Sequence, residues 1–247
     1  MVASSMSVAD ANTVLNATVA DVLEKMADRL EKAVDFEKAV DELVCDTLKE
    51  HQKVIFNGNG YSDDWISEAE RRGLPNVRTM VDATASLTDE KTIAMFEGQN
   101  VFSRTELESR AEINYEAYAK AINIEAKTMV KMASKQYIPS VIGYVTRLAE
   151  SINSIKNACE DADVSVQTEL LKKCSALLAD ARKAVLALKE INDKANIMEE
   201  GKEQAEYYRD VVMPAMADLR SPIDTLEDIV DKSCWPVPAY GDMLFEV

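Results

Sequence analysis

The sequence predicts an all-α protein: long antiparallel helices that include a helical hairpin, several short helices, and an extended C-terminal tail. Three observations carry that prediction. The 247 residues hold only 7 Gly and 6 Pro, too few turn formers for a chain of many short strands. Hydrophobic residues make up 47% of the chain, enough for a sizeable core. Apolar residues also recur at steps of three and four along most of the chain, the period of one helix face.

The opening residues Met1 to Ser5 are small and form no clear element. A first helix is expected over 8–33, with Leu15, Val19, Val22, Met26 and Leu30 on one face. A second, over 36–54, carries Phe36, Val40, Leu43, Val44 and Leu48. The stretch Phe56-Asn57-Gly58-Asn59-Gly60-Tyr61 is the richest in turn formers and reads as a compact loop. Ser62 then caps a helix that has Asp63 and Asp64 in its first turn and ends at Gly73 and Pro75. Short helices are expected over 77–86 and 89–97, the second capped by Thr88 and closed by Gly98.

Ser103-Arg104-Thr105-Glu106 forms a capping box, in which the Ser and the Glu satisfy each other's free backbone donors. It opens the longest helical pattern, along Leu107, Ala111, Tyr115, Tyr118, Ile122, Met129 and Ala133, with a kink or break expected near Tyr137 because of Pro139. The pattern resumes through Val141, Tyr144, Leu148, Ile152 and Ile155. The next helix starts near Val164 and carries a heptad seam: Leu170, Cys174, Leu177, Ala181, Ala184, Leu188, Ile191, Ala195 and Met198. The seam spans about 42 Å at a helical rise. The preceding helix, folded back as a hairpin, is its expected partner. A last helix over 202–232 is expected to bend or divide at Pro214 and Pro222, with Ser221-Pro222 as a possible restart. The tail after Trp235 is expected to lie extended, anchored by Trp235, Tyr240 and Phe245.

With 28 Lys and Arg against 44 Asp and Glu, the formal charge is -16. Such a surface repels phosphate backbones and anionic lipid, so neither nucleic acid nor membrane is an expected partner. No run approaches the length of a membrane-spanning helix, and no signal peptide is recognisable. Cys45, Cys159, Cys174 and Cys234 form no C-x-x-C pair and read as small hydrophobes in a reducing compartment. Asn16-Ala17-Thr18 fits a glycosylation sequon but sits within a helical pattern.

Reactive chemistry is hard to place. His51 is the only histidine, so a di-iron helix bundle, a histidine zinc site and a Ser-His-acid triad all lack their parts. It lies in Lys49-Glu50-His51-Gln52-Lys53, which reads as a solvated face. Asn57-Gly58-Asn59-Gly60 precedes a helix as an anion cradle would, but Asp63 and Asp64 would oppose a phosphate and no Walker lysine follows. No catalytic, cofactor-binding or metal-ligating residue is therefore expected: none in each class.

Val54-Ile55-Phe56-Asn57-Gly58-Asn59-Gly60-Tyr61-Ser62, then Trp65, then Glu68-Ala69-Glu70-Arg71-Arg72-Gly73-Leu74-Pro75-Asn76, resembles the C-terminal region of type III glutamine synthetases. The likeness continues in order through Val101-Phe102-Ser103, Glu106-Leu107, Ser109-Arg110, Ile122 to Ala126, Tyr207-Tyr208-Arg209-Asp210, and Trp235 to Asp242 with Leu244-Phe245. Ser4-Ser5 and Ala11 to Asn16 resemble the stretch just after that family's last catalytic strand, although Ala3 stands where the family usually has Gly. The Glu-Phe-Arg type motif ending that strand is absent.

The resemblance implies a C-terminal fragment without the catalytic barrel. Residues 1–56 would be the terminal helices of the catalytic domain and 57–247 the C-terminal helical domain. The parent enzymes join ammonia to L-glutamate with ATP and Mg2+ or Mn2+, through a γ-glutamyl phosphate. Their metal and substrate residues lie upstream of the matched region, so no cofactor is expected in this fragment. It would be structural, inactive alone and cytoplasmic, with the parent's catalytic domain as partner in a double-ring dodecamer. The alternative is a stand-alone acidic helical interaction module. The first helix separates the two readings. A fragment should expose Leu15, Val19, Val22, Met26 and Leu30, whereas a native module should bury them.

Overall fold

The computed structural model describes residues 7–238 and 240–245, and among them it is all-α. The chain divides into two compact units, Met1–Asn114 and Tyr115–Val247.

In the first unit, α1 (Ala9–Glu31) and α2 (Phe36–Glu50) form a helical pair. Asp35 caps α2 by accepting from the Lys38 amide. A short 3-10 turn (Gln52–Val54) leads into the loop, and Ser62 caps α3 (Asp63–Arg71) by accepting from the Trp65 amide. Gly73 follows the end of that helix, as expected, and takes the left-handed region at φ +69°.

α4 (Met80–Ala85) is shorter than expected and runs on into a 3-10 turn, Ser86–Thr88. Its cap is Thr79, whose Oγ1 accepts from the Asp82 amide and donates to the Asp82 carboxylate. Thr88 does not cap α5 (Glu90–Gly98). Its hydroxyl turns back to donate to the Ala85 carbonyl, so it closes the preceding turn instead, and Asp89 stands at the N-cap.

The capping box forms as read: the Ser103 amide donates to Glu106 Oε2 at 2.8 Å and Ser103 Oγ accepts from the Glu106 amide. It starts α6 (Arg104–Met132), while the Arg104 guanidinium pairs twice with Glu90 on α5. Ile93, Phe96, Leu107 and Ala17 form the small core of this unit.

The second unit holds the larger core. α7 (Ile138–Ala158) folds back onto α8 (Ser165–Asn196), the expected hairpin, and α8 also packs along α10 (Met213–Glu227). Because α8 is covered from two sides, its buried stripe is broader than one seam. Cys174, Ala181, Leu188 and Ala195 are buried as expected, whereas Leu170, Leu177, Ala184 and Ile191 are half-buried. Val185 and Asn192, outside the expected seam, are buried too. Asn192 Nδ2 donates to Asn123 Oδ1 at 2.9 Å, and Asn123 Nδ2 donates to Asn196 Oδ1 at 2.8 Å. After α8, Gly201 takes φ +132°, and Gln204 of α9 (Lys202–Tyr207) donates to the carbonyls of Ala195 and Met198.

Of the kink or break expected at Pro139, and the bend or division expected at Pro214 and Pro222, the break and the division do not occur. Pro139 does not break its helix. A π turn (Ala133–Tyr137) precedes α7, and the Ile138 amide reaches back five residues to the Ala133 carbonyl. The same device precedes Pro214, where a π turn (Tyr208–Val212) lets the Met213 amide bond the Tyr208 carbonyl. In an ordinary helix the proline ring would strike the carbonyl four residues back, Lys135 or Asp210. Both residues lie inside the widened turns, where the carbonyl column steps aside. Pro222 lies buried inside α10, so Ser221-Pro222 is not a restart.

The tail is not extended throughout. Lys232–Cys234 form a 3-10 turn and α11 (Tyr240–Phe245) follows. Trp235 stacks on Tyr137, ring centroids 5.1 Å apart, as an anchor should. The side chains of Tyr240 and Phe245, the other expected anchors, lie outside the described residues, as do Ser4 and Ser5. Of the cysteines only Cys174 is fully buried; Cys234 is half-buried, Cys45 is exposed on α2, and Cys159 is exposed just past the end of α7.

Candidate functional site

Two features of the first unit stand out: a clamped loop and an open apolar face. The loop is built around Arg72. Its Nη1 donates to the carbonyls of Ile55 at 2.7 Å and Lys53 at 3.1 Å, and its Nε donates to Glu68. The guanidinium also lies 5.7 Å from the centre of Trp65 and 6.0 Å from that of Phe56, two rings stacked at 4.3 Å. Sequence reading took Glu68 to Arg72 as part of a motif and missed this clamp, because the carbonyls it holds are 17 and 19 residues back.

The end of the loop is bonded internally. Asn59 Oδ1 accepts from the Tyr61 amide, the Asn59 carbonyl accepts from the Ser62 amide and hydroxyl, and Ser62 Oγ accepts from Trp65. This is the geometry of a tight turn, and Asp63 and Asp64 in the first turn of α3 oppose an anion there. Gly58 is required for room: a Cβ there would sit 2.6 Å from Phe56 Cζ and 2.8 Å from Cε1. Phe56 is half-buried and stacked on Trp65, so making room for a Cβ at Gly58 disturbs that stack. Gly58→Ala is expected to lower the stability of the first unit by about 1–2 kcal/mol, measured by urea denaturation.

Glu68 accepts from both Arg71 and Arg72, and these two guanidinium groups hold its carboxyl at about 2 instead of 4.5. A carboxylate with a depressed folded value stabilises the fold fully above 4.5, and that contribution fades as pH falls toward about 2. Acid titration of wild type against Glu68→Gln, followed by Trp65 emission, should show the extra acid sensitivity in wild type alone.

The apolar face lies on α1 and α2. On α1 only Ala17 is buried, and Leu15, Val19 and Val22 are 63%, 56% and 42% exposed. Met26 and Leu30 are half-buried. α2 buries no residue, leaving Phe36, Val44 and Leu48 exposed and Val40 and Leu43 half-buried. His51 is exposed at the end of α2. Among the described residues no group of three or more His, Cys, Asp or Glu is placed to hold a metal ion. No helix there is long and apolar enough to cross a membrane.

Comparison with known families places this arrangement. Residues 39–156, from within α2 to near the end of α7, match the model described as the glutamine synthetase C-terminal domain. The chain carries a glutamine synthetase C-terminal domain. It is 33% identical over 213 residues to a glutamine synthetase of Butyrivibrio fibrisolvens, covering 86% of this chain and 30% of the relative. It is 33% identical over 247 residues to the type-3 glutamine synthetase of Dictyostelium discoideum, with 94% and 32% covered. A glutamine synthetase of Bacteroides fragilis (strain YCH46) is 31% identical over 250 residues, with 98% and 34% covered. The chain thus spans about a third of the length of these curated relatives. Within this glutamine synthetase domain, Arg72 holds the loop carbonyls of Lys53 and Ile55, and the exposed apolar residues of α1 lie just before the matched region.

Proposed function

We propose that the chain is the C-terminal helical portion of a type III glutamine synthetase, an enzyme that ligates ammonia to L-glutamate at the expense of ATP with Mg2+ or Mn2+. In this reading residues 1–56 are the last helices of the catalytic domain and 57–247 form the C-terminal helical domain. Its role is structural: it packs on the parent's catalytic domain in the cytoplasm and shapes contacts within a double-ring homo-oligomer. The chain by itself does not make glutamine.

The single observation that supports this reading is the exposure of Leu15, Val19 and Val22 along α1. A stripe at helical spacing is laid down to be covered. A self-contained interaction module would cover it with its own helices. The two thirds of the relatives' length that this chain does not span offers a polypeptide to do so.

Purified chain assayed for ATP-dependent glutamine formation should give no turnover above buffer. Turnover abolished by a substitution in the chain would overturn the reading. Joined to the remaining two thirds of the Dictyostelium relative, the chain should complete an active oligomer, and Val19→Asp should prevent its assembly.

A further inference from the structure

A cleft of about 1000 Å3 opens in the first unit between α1, α4 and the first turns of α6. Its volume is at the upper end of what seats a drug-sized ligand. Phe96 and Leu107, both fully buried, form its floor, and Val14, Leu15, Leu87 and Ile113 its walls. One cation faces it. The Arg110 guanidinium lies 4.2 Å from the centre of the Phe102 ring, and Phe102 also lines the cleft. Among the described residues Arg110 donates no hydrogen bond. Its nearest carboxylate, Asp10 Oδ1, is 3.8 Å away, beyond hydrogen-bonding range, and Arg110 remains 47% exposed. A guanidinium seated over a ring, with only a long ion pair and no hydrogen bond of its own, can take a carboxylate by two parallel bonds.

The geometry points to a binding site for a small monocarboxylate with an apolar tail, its head on Arg110 and its tail over Phe96 and Leu107. The charges limit the head group. Asp10 and Glu106 also line the cleft, so Arg110 sits among two acids, and a doubly charged phosphate would be repelled. Glu106 accepts from the Ser103 amide and hydroxyl and acts on Arg110 only through space, without a hydrogen bond. Asp10, loosely placed and 76% exposed, can turn to solvent as the ligand head arrives. This assignment goes beyond the glutamine synthetase reading and does not rest on it.

The test titrates the full chain with decanoate, decanol and decylammonium by calorimetry. Decanoate should bind with one site per chain, with decanol at least tenfold weaker and decylammonium not bound. Arg110→Gln should weaken decanoate at least tenfold, Arg110→Lys less, and Ile113→Asp should abolish binding, each variant keeping wild-type helix content. Val22→Asp, two turns beyond Leu15 on the same stripe of α1 but outside the cleft, should change nothing. Equal affinity for decanoate and decanol, preference for decylammonium, indifference to Arg110→Gln, or loss of binding in Val22→Asp would each overturn the assignment. The last would reveal adsorption to the α1 stripe.

Discussion

Leu188→Ala should cost the second unit about 3 kcal/mol, within the span seen for emptying a fully buried leucine site. Leu188 is fully buried in the C-terminal third of α8, a helix that packs against both α7 and α10. Neighbours on two sides cannot both collapse into the hole, which keeps the cavity open and the loss high. Leu186, two positions away on the same helix, is 52% exposed, and Leu186→Ala should change stability by no more than about 0.5 kcal/mol. Urea denaturation followed by far-UV circular dichroism checks the pair. Equal losses for the two variants would mean that α8 is not held from both sides.

The second large effect is expected at Arg72. Arg72→Ala removes two charge-assisted bonds to the Lys53 and Ile55 carbonyls, a bond to Glu68, and the cation beside Phe56 and Trp65. The freed carbonyls are near solvent and recover part of the loss by hydration. The net is expected to be about 2 kcal/mol against the first unit. Arg72→Lys should recover less than half, since an ammonium cannot reach two carbonyls and a carboxylate from one plane. The chain has 2 Trp, Trp65 in one unit and Trp235 in the other. In a Trp235→Phe background, emission follows the first unit alone. A midpoint unchanged by Arg72→Ala in that background would refute the clamp.

The fold was legible where the signal is local. The capping box at Ser103 and Glu106, the Ser62 cap and the Gly73 stop each depend on residues within a few positions, and each formed as read. The hairpin of α7 and α8 was legible because a long heptad seam needs a partner and the preceding helix is the nearest. What was lost depends on contacts distant in sequence. Thr88 had two backbone groups within reach, and the tight turn before it won. Asn192 was invisible as a core residue because its partner Asn123 is 69 positions away. The prolines were read as kinks or breaks, and nothing in the sequence showed that π turns would carry the helix past Pro139 and Pro214. The Arg72 clamp escaped for the same reason as Asn192. The motif around it was visible only through family resemblance, which does not say what an arginine holds. Arg110 and Phe102 were likewise quoted within a motif, without any sign that they meet in a cleft.

The two π turns carry a consequence for how such sequences can change. Each holds one residue more than a plain helix would, and each sits two positions before a proline. Deleting a single residue from 133–137 restores regular winding but drives the Pro139 ring into the backbone behind it. Replacing Pro139 alone leaves a surplus residue with no ring to accommodate. The proline and the extra residue are therefore tied to each other. A lineage that shortens this stretch must lose the proline in the same step or soon after, and the same bargain binds Pro214 to its own widened turn.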